Sequence, residues 1–230
     1  MKRHFREAWS ACSSVPWRQR SQTNGDIFSS TTGSGGSMAG VPTLLFVCTG
    51  NLCRSPMAAA LARNVLAGRA EAVDVVSAGL LHGGEPATDK VVHLMKRRGL
   101  DLSTHRSRRL GDALAPPPDL ILGMAREHAR AVVDLLPQLF PRTFTLKDLV
   151  ARGRTQGPRR PGEALDTYLA RVGADRSFGA LAGTSAADDI ADPIGGDLLA
   201  HERCGAELEA AVTALADLVW PDPGRQQVTT

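Results

Sequence analysis

The sequence predicts an α/β protein, a doubly wound four-stranded parallel sheet flanked by helices. Short apolar runs rich in β-branched residues alternate along the chain with longer segments of helix-forming residues, an order typical of parallel strands joined by helices. The length of 230 residues suits one ordinary domain with extensions. In such sheets ligands bind at the carboxyl ends of the strands. Residues that directly follow a strand are therefore the first candidates for a functional site.

The first predicted strand and the loop behind it form the strongest local pattern. An apolar run over residues 43–47 predicts a buried strand, and residues 57–66 are rich in helix formers. Between them, Ser55 is a natural N-cap residue, and Pro56 then occupies the first helical position. The N–H groups of such a loop and the dipole of the following helix favour an anion. The stretch therefore predicts a cradle for an oxyanion.

Two side chains would make this cradle reactive. Cys48 lies where the strand becomes the loop, so that surrounding N–H donors would favour its nucleophilic thiolate. The guanidinium of Arg54 can hold two oxygens of a tetrahedral oxyanion. The alternative is a buried core cysteine beside a surface arginine. The order Cys, Gly, Asn, Arg, Ser-Pro after a strand favours a thiolate that attacks phosphorus.

The loop Val47–Pro56 resembles the phosphate loop of the low-molecular-weight protein-tyrosine-phosphatases, a family that also includes arsenate reductases and arginine phosphatases. The resemblance spans residues 43–220 and weakens between 151 and 188. It implies a phosphatase that uses neither a metal nor a cofactor. The phosphate-binding residues that it implies are Thr49, Gly50, Asn51, Leu52, Cys53, Arg54 and Ser55.

The resemblance also implies residues that support the loop. Ser77, in a Ser-Ala-Gly sequence at the end of the second apolar run, matches a family serine in a polar network beside the loop. His105 matches a histidine that bonds the loop asparagine, here Asn51, although a surface histidine is an equal alternative. At one supporting position the chain departs from the family, because Ala125 stands where an aspartate is usual.

The spacing of apolar residues and the positions of helix-capping and turn residues predict the other elements. The further strands are expected at residues 73–79, 118–124 and 142–146, and the further helices at 86–98, 125–136, 165–172 and 198–219. Residues 151–161 are rich in Gly, Pro and Arg and are expected to form a surface loop. The segment 151–187 as a whole is interpreted as a variable insertion, a candidate lid or recognition surface.

A general acid completes the implied chemistry, because the leaving oxygen must be protonated and a water must later be deprotonated. The family carries this acid in an Asp-Pro loop near the C-terminus, which Asp192 and Pro193 match. The predicted catalytic set is therefore Cys48, Arg54 and Asp192. An ordinary Asp-Pro turn is the alternative, and the nearby Asp188 and Asp189 are interpreted as solvated or capping residues.

Phosphotyrosine in proteins is the leading substrate. The aromatic pocket walls usual in the family are replaced here by Ile194 and by Leu80 or Leu81, and aliphatic walls can still enclose a ring. Leu52 stands where the arginine phosphatases have threonine, and the cysteine pair that the thioredoxin-linked arsenate reductases need is missing after the third strand. A non-catalytic oxyanion-binding module remains the alternative from another class.

The first forty residues differ from the rest in charge and composition. They hold five basic and two acidic residues, a net charge of +3 that equals that of the whole chain. Residues 1–40 are therefore interpreted as a disordered basic, Ser/Gly-rich tail, with Met38 a candidate start codon. The phosphatase domain is expected at residues 41–221 and a short tail at 222–230. Because the remainder is neutral, the charge does not indicate nucleic-acid binding, and no run is long enough to span a membrane.

The four cysteines, Cys12, Cys48, Cys53 and Cys204, show neither a disulfide framework nor metal-ligand spacing. This usage favours a reducing cytoplasm. Cys53 lies close enough to Cys48 for a reversible disulfide, which the resemblance supports, while a small apolar filler under the loop is the equal alternative. The expected partners are a phosphorylated protein and, as one candidate, a tyrosine kinase. The oligomeric state is left open.

Overall fold

The structure, a computed structural model, describes residues 40–222. The predicted tails, at 1–40 and 222–230, lie outside the described residues except for Gly40 and Asp222. The predicted parallel sheet is confirmed: four strands lie in the order β2-β1-β3-β4, and every neighbouring pair is parallel. The strands are β1 (Thr43–Cys48), β2 (Asp74–Gly79), β3 (Leu120–Gly123) and β4 (Thr143–Thr145).

Seven α-helices accompany these strands within residues 40–222. They are α1 (Arg54–Leu66), α2 (Asp89–Lys96), α3 (Leu110–Ala113), α4 (Arg126–Leu135), α5 (Leu146–Gln156), α6 (Leu165–Val172) and α7 (Leu198–Val219). Two 3-10 helices cover Pro137–Arg142 and Phe178–Leu181. Helices α6 and α7 begin and end where the sequence predicts. Helix α2 begins three residues after the predicted start at Pro86.

The prediction of a surface loop over residues 151–161 is wrong for its first half, because α5 continues to Gln156. Glycine and arginine suggested a loop, yet Gly153 serves close packing between helices. A Cβ at this position would lie 2.7 Å from the Tyr168 hydroxyl oxygen and 2.9 Å from Cδ1 of Leu218. The absent side chain lets α5 pack against α6 and α7, and the chain leaves the helix only at Gly157.

Alternating side chains of β1 build a core on each face of the sheet. Leu44 and Phe46 belong to the larger cluster, with α1, α2, α5, α6 and α7. Leu45 and Val47 belong to the second cluster, with α3 and α4. All four side chains are fully buried, as expected for a parallel strand covered by helices on both faces. Burying a side chain such as Phe46 contributes about 2–3 kcal/mol to folding.

The topology places one strand end at the centre of the fold. Strand β1 pairs with β2 on one side and with β3 on the other, so the chain order reverses beside β1. Such a switch point leaves a crevice at the carboxyl end of the strand. Cys48 is the last residue of β1, and the following loop therefore occupies this crevice.

Candidate active site

The loop from Cys48 to Ser55, here called the Cys48 loop, runs from the end of β1 into the first turn of α1. Within the described residues, the backbone N–H groups of six loop residues donate no hydrogen bond to a protein acceptor. These residues are Thr49, Gly50, Leu52, Cys53, Arg54 and Ser55. Unpaired N–H groups in a turn that leads into a helix favour a bound anion. The predicted oxyanion cradle therefore has its donors in place.

The thiol of Cys48 is buried and faces two hydrogen-bonding groups. The N–H of Asn51 donates to its Sγ at 3.2 Å, and the Ser55 Oγ lies 3.0 Å from the same sulfur. The sulfur of Cys48 thus has one backbone donor and one hydroxyl group within hydrogen-bond distance. Ser55 was predicted to cap α1, and this is wrong: the helix begins at Arg54, and Ser55 lies in its first turn. Its hydroxyl oxygen lies against Cys48 Sγ, and its O–H also has the Ala78 oxygen as an acceptor at 3.2 Å.

Asn51 holds the loop in shape. Its φ of 55° lies in the left-handed region, which asparagine tolerates better than most residues. Its side-chain amide donates to Ser55 Oγ at 2.8 Å and to Ser77 Oγ at 2.9 Å, while its Oδ1 accepts from the Arg108 N–H at 2.9 Å. The backbone oxygen of Asn51 accepts from His105 Nε2 at 2.8 Å. Every polar atom of this buried side chain has a partner.

The two predicted supporting residues, Ser77 and His105, thus both lie against Asn51. Because a carbonyl oxygen can only accept, the ring proton of neutral His105 is assigned to Nε2. Burial lowers the pKa of His105, while its bond to Asn51 opposes the shift. His105 is therefore neutral at pH 7, and the contact does not depend on a charged ring.

Gly79, the partner of Cys48 in the β1–β2 register, lies directly under the Cys48 loop. A Cβ at Gly79 would meet three backbone atoms: Asn51 N at 2.8 Å, the Gly50 carbonyl carbon at 2.8 Å and the Thr49 oxygen at 2.9 Å. The loop therefore rests on the bare backbone of β2. The small residues of the Ser-Ala-Gly sequence serve this close approach.

Arg54 joins the Cys48 loop to the predicted general acid. Its Nη2 donates to the carboxylate of Asp192 and, at 3.1 Å, to Thr49 Oγ1, while Nη1 donates to the Ile190 oxygen at 3.1 Å. The Arg54 side chain is 5% exposed and that of Asp192 35%. Buried Nε of Arg54 has no hydrogen-bond partner among the described residues. All three predicted catalytic residues thus border one site, and Nε of the guanidinium has no partner within residues 40–222.

The segment that carries Asp192, residues 188–194 and here called the Asp192 loop, is tied to the start of α4. Asp189 accepts from the Arg126 N–H at 2.7 Å and from the Ser185 N–H at 2.8 Å. The Ile190 N–H donates to the Met124 oxygen at 2.8 Å. Ala125, the N-cap residue of α4, offers no side-chain bond. Asp189 therefore accepts from the first N–H of the helix, which is a capping role.

His128 is a site residue that the sequence reasoning missed. It lies in the first turns of α4, is fully buried, and places its Nε2 3.0 Å from Thr49 Oγ1. Burial, and next the positive charge of Arg54, lower the pKa of His128 to about 3. The sequence did contain an indication that His128 is buried. It lies four residues before Val132 and therefore shares the apolar face of the helix.

The other two described cysteines are buried free thiols. Burial raises the pKa of Cys53, and a bond to Thr88 Oγ1 at 3.5 Å opposes this rise. Burial raises the pKa of Cys204 to about 12. Both are therefore protonated at neutral pH, so neither competes with Cys48 as a nucleophile. The proposed disulfide between Cys48 and Cys53 stays a prediction.

The mouth of the site has apolar walls. Leu81 and Ile194 are 45% and 52% exposed, and the Ile194 N–H donates to Asp192 Oδ1 at 3.1 Å. The Leu80 and Leu81 N–H groups donate to the Thr49 oxygen. Leu52 lies over Gly50, where a Cβ would be 3.3 Å from Leu52 Cγ. The side chains at the positions of the family's aromatic walls are thus aliphatic, and Leu81 and Ile194 are exposed.

Two kinds of feature are absent from the described residues, membrane-spanning helices and metal-binding clusters. No helix in residues 40–222 is long and apolar enough to cross a membrane. Within the same range, no three His, Cys, Asp or Glu side chains are grouped so that they could hold a metal ion. Three arginines close to His105 in the sequence, Arg106, Arg108 and Arg109, are exposed.

The chain is similar in sequence to known phosphatases. The family model of the low molecular weight phosphotyrosine protein phosphatases matches residues 43–157. A probable low molecular weight protein-tyrosine-phosphatase, EpsP of Ralstonia solanacearum, is 39% identical over 110 residues, covering 47% of this chain and 73% of the relative. A protein-arginine-phosphatase of Geobacillus stearothermophilus is 31% identical over 175 residues, covering 76% and 93%.

Solved structures of the same kind share the fold. The low molecular weight protein tyrosine phosphatase of T. tengcongensis superposes with a TM-score of 0.58 at 27% identity, over 76% of this chain and 98% of that one. The YwlE arginine phosphatase of Geobacillus stearothermophilus gives a TM-score of 0.56 at 32% identity, over 76% and 91%. The Cys48 loop, the parallel sheet beneath it and these likenesses identify the chain as a member of the low-molecular-weight protein-tyrosine-phosphatase family.

Proposed function

We propose that this protein hydrolyses phosphotyrosine in proteins through a cysteinyl-phosphate on Cys48. One observation carries the proposal above the others. Among the described residues, six N–H groups of the loop that begins at the buried Cys48 thiol have no partner, and neither does Nε of Arg54. This donor set matches the equatorial oxygens of a phosphoryl group, whose charge it would stabilise most strongly in the transition state.

In the first step the Cys48 thiolate attacks phosphorus in line with the leaving oxygen. The S–P bond forms while the P–O bond breaks, and the carboxylic acid of Asp192 gives its proton to the departing phenolate. Arg54 pairs with Asp192, so the acid lies beside the arginine that would bind the phosphoryl group. Ser55 and the Asn51 N–H hold the sulfur in place.

In the second step water attacks the phosphorus of the cysteinyl-phosphate. Asp192, now a carboxylate, takes the proton of that water, the S–P bond breaks, and inorganic phosphate leaves. The departing thiolate is stabilised by the Ser55 hydroxyl and the Asn51 N–H, at 3.0 and 3.2 Å from Sγ. One carboxyl group thus serves as acid and then as base.

The apolar walls support an aromatic phosphomonoester. Leu52, Leu81 and Ile194 offer aliphatic surface close to the Cys48 loop and the Asp192 loop. A tyrosine ring can be enclosed by such surface through burial and dispersion. The protein-tyrosine-phosphatase relatives in bacteria support the same substrate class.

Phosphoarginine is the second candidate, because the arginine phosphatase relative matches over 93% of its own length. Leu52 argues against it, since the resemblance to that branch predicts threonine at this position. Replacing Leu52 by Thr therefore tests specificity directly. We expect Leu52→Thr to lower the preference for a phosphotyrosine peptide over a phosphoarginine peptide, with hydrolysis of a small ester retained.

The deciding experiment is hydrolysis of p-nitrophenyl phosphate by the purified protein in the presence of reductant. The Cys48→Ser variant should lose turnover, whereas Cys204→Ser, a change at another buried thiol, should retain it. Asp192→Ala should slow turnover and favour accumulation of the cysteinyl-phosphate. Phosphotyrosine and phosphoarginine peptides of the same sequence are then compared. Appreciable activity in Cys48→Ser would refute the mechanism, and a preference for phosphoarginine would refute the substrate.

The cellular setting is part of the same proposal. We place the protein in the cytoplasm, acting on a phosphorylated protein, with a tyrosine kinase as one candidate partner. The free thiols of Cys48, Cys53 and Cys204 support a reducing compartment. Activity that requires an added reductant after purification in air would agree with this location.

A further inference from the structure

A continuous line of side-chain contacts leads from the core of α4 to the phosphate-facing arginine. His128 Nε2 lies 3.0 Å from Thr49 Oγ1, and Arg54 Nη2 lies 3.1 Å from the same oxygen. His128 is fully buried, and Thr49 is half-buried at the mouth. The mechanism proposed above assigns no role to His128 or to this hydroxyl.

The ring proton of His128 can be placed from its surroundings. Burial and the Arg54 charge keep the imidazole neutral at physiological pH, so one ring nitrogen carries a proton. Nδ1 has no partner among the described residues, and a buried N–H without an acceptor is rarer than an unused lone pair. A carboxylate oxygen of Glu127 also lies 3.5 Å from Nε2 and would repel a lone pair there. The proton is therefore on Nε2, and His128 donates to Thr49.

This tautomer determines what the Thr49 hydroxyl can do. A hydroxyl oxygen has two lone pairs and one O–H. His128 Nε2 and Arg54 Nη2 both donate to Thr49 Oγ1, so its two lone pairs are used. Its own O–H is then left to donate, and the half-buried side chain lies at the mouth of the Cys48 loop.

We propose that His128 is a positioning residue that acts through Thr49. It directs the Thr49 hydroxyl proton to a phosphoryl oxygen and keeps Arg54 Nη2 in place. This inference rests on the proposed phosphatase function. It adds the Thr49 hydroxyl to the donors of the site and makes α4 a support for the phosphate-facing arginine. The competing view is that His128 only fills the core beneath the loop.

A matched pair of variants separates the two views. In His128→Gln the amide nitrogen can occupy the position of Nε2, whereas in His128→Asn it reaches only as far as Nδ1. Both replacements are neutral amides and leave the charge of the site unchanged. We expect His128→Gln to keep kcat within about fivefold of wild type, and His128→Asn to lose on the order of tenfold to a hundredfold with little change in KM.

A double-mutant cycle then tests whether the effect passes through Thr49. Thr49→Val, which removes the hydroxyl at constant shape, should lower kcat as much as His128→Asn does. The double variant should be no slower than Thr49→Val alone. Equal kcat values for the Gln and Asn variants would overturn the proposal, as would independent losses in the double variant. If no His128 variant folds, a wild-type kcat in Thr49→Val would overturn it.

Binding of inorganic phosphate, measured by titration calorimetry, keeps this test separate from the catalytic proposal. If the wild-type protein binds phosphate but does not turn over p-nitrophenyl phosphate, the proposed function fails while the positioning role is still tested. In that case Thr49→Val and His128→Asn should each weaken phosphate binding by about tenfold, and His128→Gln should not. Unchanged binding in Thr49→Val would refute the role of the hydroxyl.

Discussion

Gly79→Ala should reduce activity by displacing the Cys48 loop. The added Cβ would lie 2.8 Å from Asn51 N and from the Gly50 carbonyl carbon, and ordinary contact begins at 3.4 Å. The loop or β2 must therefore move apart by about 0.6 Å. Neither can move cheaply, since the neighbours are backbone atoms and the Leu80 N–H is bonded to the Thr49 oxygen at 2.8 Å.

A displacement of about 1 Å in a catalytic group can lower the rate by about a hundredfold, so we expect Gly79→Ala to lose about tenfold in kcat/KM. Overpacking should also lower the free energy of unfolding by about 1–3 kcal/mol. The assay is p-nitrophenyl phosphate hydrolysis together with urea unfolding. Gly68→Ala is the control, because no atom lies within 4 Å of a Cβ added there. A kcat/KM for Gly79→Ala within twofold of wild type would refute the reasoning.

Three further changes test other parts of the structure. Asp189→Asn cannot accept from both Arg126 and Ser185, so kcat should fall severalfold at unchanged KM; a normal kcat would show that the Asp192 loop holds itself. Tyr168→Phe removes a buried hydroxyl without a described partner, so urea unfolding should show unchanged or slightly raised stability, and a loss above about 1 kcal/mol would reveal an unseen partner. Because the pKa of His128 falls to about 3 on folding, the unfolded state binds the extra proton. Between pH 7 and 4.5 wild type should therefore lose about 2–3 kcal/mol more stability than His128→Gln, and equal losses would contradict the lowered pKa.

Local signals predicted the sheet and its central loop. The apolar run before Cys48 and the helix formers after it specify a strand, a turn and a helix without help from distant residues. Helix α7 was predicted with the same bounds, because Leu208, Val212, Leu215 and Val219 repeat at helical spacing and all are buried. Where the pattern is long and periodic, the local sequence suffices.

The errors lie where distant contacts override local preference. Ser55 has the chemistry of an N-cap, yet Cys48, Asn51 and Ala78 surround its hydroxyl in the folded loop. Gly153 marks a loop by composition, but the hydroxyl of Tyr168 occupies the space where its side chain would be. Ala78 is 23 residues from Ser55 in the sequence, and Tyr168 is likewise far from Gly153, so neither of these two contacts could be inferred from the local pattern.

The start of α4 connects two parts of the site because Ala125 has no side-chain cap to offer. Alanine cannot cap, and Asp189 satisfies the Arg126 N–H from the Asp192 loop. Helix α4 thereby holds the Asp192 loop through Asp189. On the same helix, His128 contacts Thr49 Oγ1, which Arg54 also contacts. One helix start thus orients both partners of the Arg54–Asp192 pair, so disturbance of its first turn should affect catalysis before it affects the fold.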